Sequence, residues 1–187
     1  MAGKNKKQVK YYPFLDVVVD VFFSIIFYNA FMAFPGWKLE TVLMVFSIII
    51  MMNYWWVTRT GHEIPKHYLF DVYFIIIPMF IFAQWPTYYT DISMFTYILA
   101  AFFGIDAIYA LISIWAHKEK NDEPALVFYL KYEMALAVSY FIIAGVITEL
   151  NWISLLFVLL PYLFFTFVSF KKGYATTKFI DNDNQPY

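Results

Sequence analysis

Cysteine is absent from this 187-residue chain, which excludes disulfides, thiolate metal sites and cysteine nucleophiles. Its absence leaves the redox compartment open. Charge is scarce too: only 14% of residues are charged and the formal net charge is −1, whereas about a quarter of a soluble domain is charged. That is too little polar surface to keep a compact protein of this size in solution. The basic residues are scattered rather than gathered in one patch, so no nucleic-acid partner is expected. No phosphate-cradling glycine loop, nucleophile elbow or zinc-protease pattern occurs. His62 and His67 are separated by Pro65 and do not share a helix face as metal ligands would, and His117 stands alone. Neither a metal nor a cofactor is expected, and an intramembrane enzyme ranks last among the function classes.

Apolar residues dominate instead: 62% of the chain is hydrophobic and 24% aromatic. Runs long enough to cross a bilayer lie at roughly 14–34, 39–58, 67–85, 92–116, 125–148 and 151–170. Turn chemistry separates them: Pro35 and Gly36, Gly61 and Pro65, Pro86, then Asn121 to Pro124, then Glu149 to Asn151. Asn151 is placed to cap the last helix. The basic start, Met1 to Lys10, leads into a full-length run with two aspartates and no small-residue cleavage site, as expected of a first span rather than a signal peptide. The expected fold is all-α: a polytopic integral membrane bundle of about six transmembrane helices over residues 1–172, with a polar tail at 173–187.

Lysines and arginines orient this bundle. Lys4, Lys6, Lys7, Lys10, Arg59, Lys66, Lys118, Lys120, Lys171, Lys172 and Lys178 fall on one side and Lys38 alone on the other. The positive-inside rule then puts both termini in the cytoplasm of a multi-pass protein of the cell membrane. Trp37, Trp85 and Trp152 are expected at the outer interface, and Trp55, Trp56 and Trp115 at the inner one.

A charge at the bilayer centre costs roughly 2.5–3.5 kcal/mol on insertion scales, so each calls for a partner or a purpose. In the first run Tyr12, Asp16, Asp20, Ser24 and Tyr28 recur every four residues along one helix face. Later runs add Asn53, then Asp106 with Tyr109, Ser113 and His117, then Glu133 with Tyr129 and Tyr140. By helical rise Asp20, Asn53, Asp106 and Glu133 lie roughly 8–17 Å from the cytoplasmic boundary, so four helices bring polar groups to one depth. Low dielectric favours the neutral form of such acids, a natural basis for proton-linked behaviour. Lys131 is two residues from Glu133 and on the opposite face, so it pairs with another helix or snorkels to the surface. Asp16, Asp71 and Arg59 lie near the interface, where hydration or salt bridges between helices account for them. Pro78 and Pro161 interrupt their helices and free the carbonyls of Phe74 and Phe157. Ala100, Gly104 and Ala107 read as a close helix contact.

The stretch Asp16, three valines, Asp20, Val21, Phe22, Phe23 resembles a motif of the low-temperature-requirement A (LtrA) membrane family. There an acid precedes an aspartate by four residues, followed by a Leu-Val-Phe-Val-like run. Trp55, Trp56, Val57, Thr58 and Arg59, with His62 and His67, resemble that family's tryptophan-rich second span and polar loop. The resemblance covers about a third of the chain and implies a polytopic membrane protein. Asp16 replaces the family's usual Glu. The architecture is also similar to the six-span lysosomal-type potassium channel family, which shares Phe23 and Ser24 but has aspartate where this chain has Ile25.

The function expected is a small channel or transporter for a monovalent cation or a proton-coupled solute. Asp20, Asp106, Glu133 and Asn53 would bind the ion or proton. Asp16, Ser24, Tyr28, Tyr109, Ser113 and Tyr140 would line the path. The lipid bilayer is the expected surroundings, and a wide pore would need a homo-oligomer. The alternative is a sensor or assembly subunit whose polar groups only join helices.

Overall fold

The computed structural model describes residues 13–32, 34, 36, 38–60, 77–78, 80–81, 83–116 and 123–171. Among these the chain is all-helical, with no strand. The helices are α1 (Pro13–Met32), α2 (Leu39–Thr60), α3 (Ile92–Ala116), α4 (Glu123–Val146) and α5 (Trp152–Lys171), with a short 3-10 turn, Trp85–Tyr88, before α3. Most of the third expected span lies outside the described residues, as do Asp71, His62, His67, His117 and the 173–187 tail.

Among the described residues, three helices are long and apolar enough to cross a membrane: Ile92–Ile112, Val127–Val146 and Trp152–Ser169. The 25 residues of α3 extend about 37 Å, more than the roughly 30 Å of a hydrocarbon core. The apolar stretches of α1 (Asp20–Asn29) and α2 (Leu39–Tyr54) are shorter.

Local chemistry sets the helix ends. Gly36, at φ 79°, takes the left-handed conformation that turns the chain from α1 to α2. The Thr41 hydroxyl donates to the Gly36 carbonyl and fastens the turn. Asp91 caps α3 by accepting from the Met94 amide at 3.0 Å. Helix α4 begins at Glu123, before the proline expected to separate it from α3. Proline has no amide hydrogen to lose in a first turn and its φ already suits a helix, so Pro124 belongs inside the start.

At α5, Asn151 Oδ1 accepts from the amides of Ile153 and Ser154 at 3.0 and 2.9 Å. Ser154 Oγ in turn accepts from the Asn151 amide at 2.8 Å, a reciprocal cap. Asn151→Ala is expected to cost about 1 kcal/mol. Thermal unfolding in detergent would show the loss, and Asn151→Asp should restore most of it.

Packing is closest between α3 and α4. A Cβ placed on Gly104 would lie 4.0 Å from that of Ala137, and Ala100, Ala107 and Ala144 are buried. Ser93 Oγ donates to the Ala144 carbonyl at 2.7 Å, and the rings of Tyr97 and Phe141 meet edge to face at 5.7 Å. These pairs run antiparallel in one register, which places Asp106 opposite Glu133. Leu99, Phe95, Leu136, Val158, Leu43 and Ile50 centre the core. Buried Ser47 and Thr96 return their hydroxyls to carbonyls of their own helices, at 2.8 Å each.

Trp115 and Trp152 are exposed, but Trp85 is fully buried. It sits in the 3-10 turn and meets Tyr89 edge to face at 4.8 Å, so it plugs the bundle end rather than facing an interface. The side chains of Trp37, Trp55 and Trp56 lie outside the description.

Tyr89 is buried and its hydroxyl has no hydrogen-bond partner among the described residues. Burial pushes that phenol above its ordinary range. Below about pH 10 both folded and unfolded chains keep this proton, and stability does not depend on it. Above that the unfolded chain ionises first, so stability falls as pH rises. Tyr89→Phe should lessen the alkaline fall in melting temperature without lowering stability at neutral pH.

Candidate functional site

Two carboxyl groups meet in the apolar interior, about 15 Å from the connected ends of α3 and α4. Asp106 is the fifteenth residue of α3 and Glu133 the eleventh of α4, and the antiparallel register sets them face to face. Glu133 is 7% exposed, and its Oε2 is buried without a hydrogen-bond partner among the described residues. The two carboxyls lie within each other's electrostatic range. Among the described residues, no group of three or more histidines, cysteines or acids is placed to hold a metal ion.

Hydroxyls surround the pair. Tyr54, from α2, hydrogen-bonds to the Asp106 carboxyl, and its ring packs edge to face on Phe102 of α3 at 4.9 Å. Tyr109 lies within electrostatic range of Tyr54. Tyr129 and Tyr132, one turn before Glu133 and beside it on α4, both lie within range of the carboxyl. From α5, Tyr162 approaches Glu133 and accepts from Asn53 Nδ2 at 3.0 Å. Thr166, one turn later, shares a 3.4 Å hydrogen bond with Tyr132 and another with Tyr162. It also lines an open groove with Leu163, Phe167 and Lys171.

The expected site residues divide accordingly. Asp106, Glu133 and Asn53 gather in one network, with Tyr109 at its edge. Asp20 is half-buried on α1, where its carbonyl accepts from Ser24 Oγ at 2.8 Å. Tyr28 is 63% exposed on the outer surface of α1. Tyr140 is completely buried, donates to the Val158 carbonyl at 3.0 Å and stacks on Phe103. That carbonyl lies within a turn of Pro161, which sits inside the continuous α5, so Tyr140 joins α4 to α5. Asp16 and Ser113 are helical, but their side chains lie outside the description. Lys131 is exposed on α4.

Tyr54, Tyr132, Tyr162 and Thr166 were not among the expected site residues. Two spacings carried a signal: Tyr129 precedes Glu133 by four residues, and Tyr162 precedes Thr166 by four, so each pair shares a helix face. Chemically, the arrangement supplies two acids, one hydroxyl donor on Asp106 from Tyr54, further phenols within electrostatic range of Glu133 and an apolar surround.

No protein family, curated protein or solved structure matches the chain.

Proposed function

We propose that this protein is a small membrane channel or transporter for a cation or a proton-coupled solute, with Asp106 and Glu133 as its binding site. One observation carries this reading: a nearly fully buried glutamate, one oxygen of which has no hydrogen-bond partner among the described residues, faces a second acid inside an apolar helical bundle. Idle acids at that depth are costly. Asn53 holds the site through Tyr162, and Asp20 belongs to the same route on α1. In this reading the protein is no enzyme. It spans the cell membrane about six times, with both termini cytoplasmic, as the lysine distribution supports. Its first spans resemble those of the LtrA membrane family.

The test is flux through purified protein in liposomes, with a potassium or sodium gradient and a pH-sensitive dye inside. Flux above empty vesicles supports the proposal. Its absence for protons, potassium and sodium alike would end the ion-pathway version.

A second reading has its own support. The Asn53–Tyr162, Tyr132–Thr166 and Tyr140–Val158 bonds each tie one helix to another. A sensor or assembly subunit would use polar groups in this way. In that case replacing Asp106 or Glu133 should lower stability or prevent association, with no flux to lose.

A further inference from the structure

The groups around the buried pair show which charge it accommodates. Within electrostatic range of its acids are Tyr54 from α2, Tyr129 and Tyr132 on α4 with Glu133, and Tyr162 from α5, while Tyr109 on α3 lies within range of Tyr54. A phenol can donate or accept; Tyr54 is already committed to Asp106, and Tyr162 accepts from Asn53. A dehydrated alkali cation needs a cage of several acceptor oxygens, such as backbone carbonyls or amide oxygens. Among the described residues at the pair, the amide of Asn53 presents its nitrogen to Tyr162. The Tyr54 donor directed at Asp106 holds an anion in place there. Two adjacent buried carboxylates cannot both stay ionised in low dielectric. Oε2 of Glu133 is the oxygen left without a donor among the described residues.

We propose that the Asp106–Glu133 pair holds one proton, carried on Glu133, while Asp106 stays ionised under the Tyr54 hydroxyl, so that the cargo of the site is the proton and not an alkali cation. This rests on the reading of the pair as a transport site. The pair then bears a single negative charge. Loss of the Glu133 proton to water leaves a dianion, which the closed interior excludes. Release therefore requires opening toward water, and reclosing requires a proton to return.

Infrared spectroscopy of the protein in liposomes tests the proton directly. At neutral pH a protonated carboxylic acid band is expected that shifts in heavy water, is lost in Glu133→Gln and persists in Asp106→Asn. It should be unchanged when sodium and potassium are replaced by a bulky organic cation. If Glu133→Gln does not fold, Glu133→Asp serves: the band should persist at a shifted position. A band untouched by both Glu133 variants, or one that sodium or potassium abolishes, would overturn the proposal. The spectrum requires no flux. Vesicles that show the band but move no protons would reject the transport reading and leave the shared proton standing.

Discussion

Glu133→Gln is expected to reduce proton or cation flux in liposomes to the level of empty vesicles, while the protein still folds. Glutamine has almost the shape of glutamate, and the site around Glu133 is closely packed, so little cavity or overpacking cost arises. The change also removes an acid from a nearly fully buried position, where a charged or unpartnered group is a liability to stability. Stability should therefore shift by less than about 1.5 kcal/mol in either direction. Transport has no such tolerance. An amide cannot carry a titratable proton or supply a negative charge, so a route through this residue closes. Asp106→Asn should act similarly on flux but cost more stability, because Tyr54 is bonded to that carboxyl. The measurements are initial flux rates and melting temperatures on the same preparations. Unchanged flux in both folded variants would remove the pair from the pathway. Loss of folding in both would favour helix assembly as the role of the acids.

The two acids were legible in the sequence, and most of their companions were not. A carboxylate some ten residues inside an apolar run declares itself through its energetic cost, whatever surrounds it. Asp106 and Glu133 stood out for that reason, and the expected run at 92–116 coincides with α3. Tyr54, Tyr132 and Tyr162 carry no comparable signal. With 16 tyrosines in the chain, a tyrosine fits a membrane interface, an apolar core or a polar site equally well. Which role it takes depends on the register between helices, and that is a tertiary property. Trp85 illustrates the same limit. Its position at the end of a run suggests an interface, but the 3-10 turn folds it beneath the helix ends. Pro124 shows a local ambiguity: proline ends one helix or begins the next, and here it lies in the first turn of α4.

The same dependence on register makes Gly104 the position where a purely apolar change should have the largest effect. Gly104→Ala adds a methyl group at 4.0 Å from the Ala137 Cβ, an ordinary contact. It also replaces a residue that disfavours helices by about 1 kcal/mol. The variant should therefore be at least as stable as wild type and retain flux. Gly104→Leu is different in kind. Its side chain needs room that the α3–α4 contact does not have, so the helices must separate or shift, at a cost of about 1–3 kcal/mol or more. Asp106 lies two residues further along α3, so separation carries it away from Glu133 and should abolish flux as well as lower the melting temperature. The pair of variants distinguishes close packing from chemistry, because neither alters an ionisable group. A Gly104→Leu protein with wild-type melting temperature would show that α3 and α4 are not held at this distance. One that loses stability but keeps full flux would show that the juxtaposition of Asp106 and Glu133 is not what transport requires.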